Sequence, residues 1–110
     1  MGKTYKIRAE DIVQLVTNAG GCLATDRITV DGCDVSYMYR EKTARPLDTG
    51  WRFFAGDESP EYLKVSSHTD VYDINTIANH EPAILSYIDT PAPCAFERIP
   101  GSRKFRPVET

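Results

Sequence analysis

Along the chain the apolar positions follow two rhythms, and each change of rhythm marks an element. Ile12, Leu15, Val16 and Ala19 fall at i, i+3, i+4 and i+7, which draws one apolar stripe on a helix from about Ala9 to Asn18. Glu10 and Asp11 suit the positive end of that helix, and Gly20-Gly21 stops it. Cys22 to Ala24 and Arg27 to Val30 then read as short strands, and Asp31-Gly32 is a pair that tight hairpin turns favour. The return strand runs from Val35 to Arg40, where Val35, Tyr37 and Tyr39 alternate with Ser36, Met38 and Arg40. Glu41 to Thr49 is charged and contains Pro46, an exposed loop before the aromatic run Trp51 to Phe54. Gly50 and Gly56 bracket that run, so it reads as a buried strand ending in an acidic turn at Asp57-Glu58.

The second half is shorter in its periods. Ser59-Pro60 opens a short helix through Glu61, Tyr62 and Leu63, and the polar stretch Val65 to Asp70 reads as a loop. Asp73 is placed to cap a helix through Ala78, because its carboxylate can accept backbone N–H groups two or three residues on. Pro82 opens another helix, Ala83 to Ile88, which Pro91 and Pro93 bring to an end. Ala95 to Ile99 is the last strand. Together these elements predict an α+β domain over residues 1–99: a small antiparallel sheet of about four or five strands with helices packed on one face. Residues 100–110 form a basic C-terminal tail to which the pattern assigns no element.

Composition adds bounds. At 110 residues the chain holds one ordinary core, and 41% hydrophobic with 26% charged residues is the balance of a globular protein. No apolar run approaches the ~18 residues of a transmembrane helix, and Met1 to Arg8 lacks the apolar centre of a secretory leader, so no membrane association and a cytoplasmic location are expected. Cys22, Cys33 and Cys94 have neither the number nor the spacing of a disulfide framework or a thiolate zinc site. The net charge of −3 is unevenly spread: Pro46 to Glu97 carries two basic and nine acidic residues. That acidic middle disfavours nucleic acid and favours a basic protein partner.

The residues Gly50-Trp51-Arg52-Phe53-Phe54, Gly56-Asp57-Glu58, Tyr72-Asp73, Asn75-Thr76-Ile77-Ala78-Asn79 with Pro82, and Ala95-Phe96-Glu97-Arg98 occur in an order that resembles the bacterial immunity proteins of the Imm33 type. The resemblance runs from about Cys22 to Arg98. It implies a non-catalytic protein that binds and neutralises a cognate toxin, and it supplies no catalytic residue, metal ligand or cofactor. In that reading Asp48, Asp57, Glu58, Glu61 and Asp70 form an attractive acidic patch, with Tyr39 adding buried contact area. Arg40 and Arg52 stand near several acids as ion-pair partners, and Asn75 and Asn79 shape helix ends. Two other classes remain. One is a small ligand-binding or regulatory module with a pocket lined by Trp51 and the tyrosines. The other is a metal-dependent hydrolase that uses Asp57 and Glu58.

Overall fold

Six strands form one sheet in the order β4-β1-β3-β2-β5-β6. In the computed structural model, which describes residues 2–17 and 19–109, they are β1 (Gly21–Thr25), β2 (Tyr37–Arg40), β3 (Asp48–Phe54), β4 (Thr69–Asp73), β5 (Cys94–Arg98) and β6 (Phe105–Pro107). Three helices, α1 (Asp26–Thr29), α2 (Pro60–Lys64) and α3 (Ile74–His80), and short 3-10 turns join them. The class is α+β as the pattern predicts. Two details of the sheet differ: it has six strands rather than four or five, and the β1/β3 pair is parallel. All other neighbours are antiparallel.

The aromatic run becomes the middle of the sheet. Trp51 and Phe53 point to one face with Cys22 and Ala24 of β1, Met38 of β2 and Phe96 of β5, and there they meet Ile28 of α1 and Ile74, Ile77 and Ala78 of α3. This is the core, and Trp51 and Phe53 are sealed in it. Its polar edges are closed locally: the Trp51 indole N–H donates to the Ile88 carbonyl at 2.9 Å, and Arg40 donates to the carbonyls of Thr49 and Thr90, both at 2.8 Å. Arg40 therefore binds carbonyls rather than the acids expected for it. A buried ion pair ties the far side together. Glu81 accepts from Arg98 and from the Val35 N–H, while Arg98 also donates to the carbonyls of Val35 and Ser102 and lies over the Phe105 ring.

Several elements depart from the periodicity, each for a local reason. The helix expected from Ala9 to Asn18 is a single 3-10 turn, Ala9–Asp11, followed by irregular chain; Asn18 itself lies outside the described residues. Arg8 provides no side-chain cap, and a ten-residue helix is marginal without tertiary support. The backbone of Val13, Leu15 and Val16 is held instead by the side chains of Asn75 and Asn79. The Arg27 to Val30 strand is α1, and Asp31-Gly32 closes this helix rather than a hairpin. Arg27 pairs with Asp31 one turn on, the N–H groups of Val30 and Asp31 donate to the Asp26 carbonyl, and Gly32 at φ +76 turns the chain away. β2 accordingly pairs with β3 and β5 and not with β1.

In the second half, the stretch read as a polar loop, Val65 to Asp70, is a 3-10 turn (Ser66–His68) and the start of edge strand β4. Ser59 and Asp73 do cap α2 and α3, accepting from the N–H groups of Tyr62 and Asn75. The segment opened by Pro82 is a 3-10 turn, Pro82–Ser86. Within the basic stretch after Arg98, Phe105 is buried and β6 pairs with β5.

A candidate partner-binding surface

Strand alternation leaves the second face of the sheet without the core's cover. Cross-strand partners share a face, so Val71, Leu23, Arg52, Tyr39 and Ala95 form one row across β4, β1, β3, β2 and β5. Beside it Phe54, Tyr37, Glu97 and Arg106 form a second. Val71 and Tyr37 are exposed, and Leu23, Tyr39, Phe54 and Glu97 are half-buried. The Tyr39 and Phe54 rings stack at 5.8 Å, and Tyr37 lies against both. Burial, and then the neighbouring Glu41, raise the Tyr39 phenol above its ordinary pKa, so it stays a neutral donor.

At the centre of this face sits an ion-pair network. Arg52 donates to both carboxylate oxygens of Asp48, at 2.9 and 2.8 Å, and to Glu41 at 2.9 Å. Those bonds, with the Gly50 N–H on Asp48, hold the Asp48 carboxyl down at about 2. The network exists because β3 is irregular at its start. Gly21 lies opposite Asp48 while Leu23 lies opposite Arg52, so extra residues of β3 are accommodated between these two points. Gly50 at φ +88 makes that turn, and Thr49 closes it by donating to the Gly21 carbonyl and accepting from the Trp51 N–H.

Apolar residues flank the charged centre. At one end Leu47, 83% exposed, and Val71, 67% exposed, border a cavity of about 220 Å³ with Leu23, Arg45 and Arg52. At the other, Leu63 of α2 faces Tyr37 and Phe54 across a groove of about 310 Å³. The face thus joins two exposed apolar ends to the Tyr37/Tyr39 pair, with Arg52 between them buried and satisfied by Asp48 and Glu41.

The six residues singled out in the sequence are divided by this geometry. Tyr39 and Asp48 belong to the open face. Glu61 is exposed on α2, two residues before Leu63. Asp48 starts β3 whereas Asp57 and Glu58 follow its end, and a seven-residue strand separates them by roughly 20 Å. Glu58 accepts from the Thr25 hydroxyl at 2.5 Å and from the N–H groups of Ala55 and Gly56, so it ties the β3 turn to β1. Asp57 takes two hydrogen bonds from Arg27, at 3.1 and 2.6 Å, which lower its pKa. Asp70 lies opposite Ala24, on the rows that continue into the core face, with Lys3 at 3.8 Å. The two carboxylates of the hydrolase reading thus serve different donors. Arg27, Leu63 and Val71 escape the sequence pattern because each takes its place from neighbours in the fold that are distant in the chain.

The thiols and imidazoles are spread through the fold. Burial raises the Cys22 and Cys94 thiols and lowers the His80 imidazole. His68 stacks on Tyr62 at 4.0 Å. Among the described residues no three His, Cys, Asp or Glu side chains gather as a metal-ligand group.

A family model described as the immunity protein Imm33 domain matches residues 22–109, from β1 past β6. The chain belongs to the Imm33 immunity protein family. No curated protein and no solved structure matches it. The Imm33 match covers the whole sheet, including the open face and both of its apolar ends.

Proposed function

We propose that this Imm33 protein is an immunity protein that neutralises a cognate bacterial toxin by binding it, with no catalysis of its own, in the cytoplasm of the cell it protects. Membership of the family carries the reading. The open sheet face supports it as the contact surface. There Tyr39, Tyr37 and Phe54 offer rigid aromatic area, Leu47, Val71 and Leu63 offer apolar anchors, and Asp48, Glu41 and Glu61 contribute acidic groups toward a basic toxin. Glu58 borders the groove beside Leu63, Tyr37 and Phe54, while Asp57 and Asp70 lie beyond the face and add to the negative field that speeds encounter with such a partner. The ligand-module alternative calls for a pocket lined by Trp51 and the tyrosines together; Trp51 borders a cavity of about 320 Å³ with Arg40, Thr49 and Ile88, while Tyr37 and Tyr39 lie on the other face of the sheet.

The test is co-expression. Cells producing the cognate toxin are expected to survive with the wild-type protein and to lose protection with Tyr39→Ala/Leu47→Asp, provided that variant unfolds with wild-type cooperativity. Survival with the double variant would move the contact surface elsewhere. Failure of the wild type to protect against that toxin, or to bind it, would sink the immunity reading. Glu61→Lys is the charge probe of choice, because Glu58→Lys would cut the bonds to Thr25, Ala55 and Gly56 and damage the fold.

A further inference from the structure

The groove between α2 and the open face combines apolar walls with one carboxylate. Tyr37 and Phe54, whose rings lie 5.9 Å apart at 40° to each other, form one side, exposed Leu63 forms another, and Glu58 borders the space of about 310 Å³. Glu58 is half-buried and held in place. Its Oε2 accepts from the Thr25 hydroxyl and the Ala55 N–H, and its Oε1 accepts from the Gly56 N–H at 2.9 Å. All three donors are neutral, so they orient the carboxylate without compensating its charge.

No cation of the chain does so either. Arg27 reaches the adjacent Asp57 but divides its bonds between that residue and Asp31, and among the described residues Glu58 has no ion-pair partner. Asp48, Asp57 and Asp70, by contrast, each have a basic neighbour within the chain. Glu58 therefore offers a fixed, uncompensated charge at the wall of a groove, and Oε1 has room for a further donor.

That combination decides what fits. An apolar side chain seated in the groove would dry a charge that has no counter-ion, which is costly. A guanidinium suits both kinds of wall: its N–H fork meets the carboxylate, and its plane and methylene stem lie on aromatic and aliphatic surface. The volume is at the lower end for small-molecule sites, room for one long side chain. We propose, resting on the immunity reading above, that this groove is the socket for an arginine side chain of the toxin, its guanidinium paired with Glu58 and its stem between Tyr37, Phe54 and Leu63.

The test reads the arginine itself. The toxin captured by the wild-type protein is treated with phenylglyoxal, which modifies accessible arginines, both alone and in complex with the full-length protein, and the modified sites are located by mass spectrometry. In the wild-type complex a toxin arginine is expected to be protected. Leu63→Lys, at an exposed helix position, sets an ammonium group beside Glu58 and is expected to weaken binding at least about tenfold. In a complex formed at saturating concentration it should also return that arginine to its unbound reactivity while other protected sites stay protected. Leu63→Met keeps the apolar wall and is expected to bind as wild type does. Replacing the protected toxin arginine by glutamine should weaken binding to wild type and leave binding to Leu63→Lys unchanged, because the two sides act as a unit. Tyr37→Ala removes the opposite wall, is expected to release the same arginine, and carries the comparison if Leu63→Lys fails to fold. A wild-type complex in which no toxin arginine is protected would overturn the proposal, as would an arginine that stays protected in the complexes of both groove variants. Absence of any complex with wild type would overturn the immunity reading, and the socket with it.

Discussion

Gly50 is the residue on which the site geometry turns. It holds φ +88, and a Cβ built there would collide with the carbonyl oxygen of Glu41, a backbone atom that cannot swing aside. Gly50→Ala is therefore expected to cost about 2–4 kcal/mol in urea denaturation, combining strain and overpacking. Asp48 offers a test by pH. Its folded pKa of about 2 lies below its ordinary value of 3.8, so its contribution is complete above pH 4 and is lost as pH falls through 2. Asp48→Asn should lower stability by about 1–2 kcal/mol at pH 7, allowing for partial solvent screening. The gap to wild type should close as the pH is taken from 4 to 2. His80 acts at milder pH. Burial lowers its pKa, so the fold favours the neutral ring, and stability should begin to fall as pH drops below the ordinary value of 6.5 in a way that His80→Gln removes.

Among the elements, α3 does more than its seven residues suggest. Asp73 caps it, Ile74, Ile77 and Ala78 enter the core, Asn75 and Asn79 hold the N-terminal strap, and Glu81 just beyond it joins the buried pair with Arg98. Removing one member of a buried pair strands the other, so Glu81→Ala should cost about 3–5 kcal/mol by denaturant unfolding. How well each element could be read from sequence follows from what determines it. β3, α2 and α3 were legible because their signals are local: an aromatic run between glycines, and Ser59 and Asp73 at helix starts. The helix at Ala9 to Asn18 and the hairpin at Asp31-Gly32 were misread because the deciding partners are distant. Asn75 lies 60 residues from Leu15 and wins its backbone, and Asp57 lies 30 residues from Arg27 and helps hold α1. β4 carries an exposed Val71 and two acids, a composition that reads as loop until β1 supplies its ladder.

For the whole molecule, sheet topology decides the surface. Because β1 and β3 are parallel neighbours, Leu23 and Val71 fall beside Arg52 and Tyr39, and residues from five strands meet on one open face. The fold class and family were legible from motifs within single elements. The candidate surface depends on more than local signals: Tyr39 and Asp48 stand out in the sequence, whereas placing Val71 and Leu63 beside them takes the strand order. The acidic surplus of the middle segment is also partly spent internally, on Arg27, Arg52 and Arg98. Apolar and aromatic contact, more than net charge, should therefore set the lifetime of the complex.

The most direct measurement is calorimetric titration of a purified toxin, captured by the wild-type protein from the cells that produce it, into three folded proteins: wild type, Tyr39→Ala on the open face, and Asp70→Asn at the opposite side. Binding by wild type, a loss of at least about tenfold with Tyr39→Ala, and a Kd within about threefold of wild type with Asp70→Asn is the expected result. Equal affinity of wild type and Tyr39→Ala, with the loss confined to Asp70→Asn, would contradict the open sheet face as the site of toxin binding.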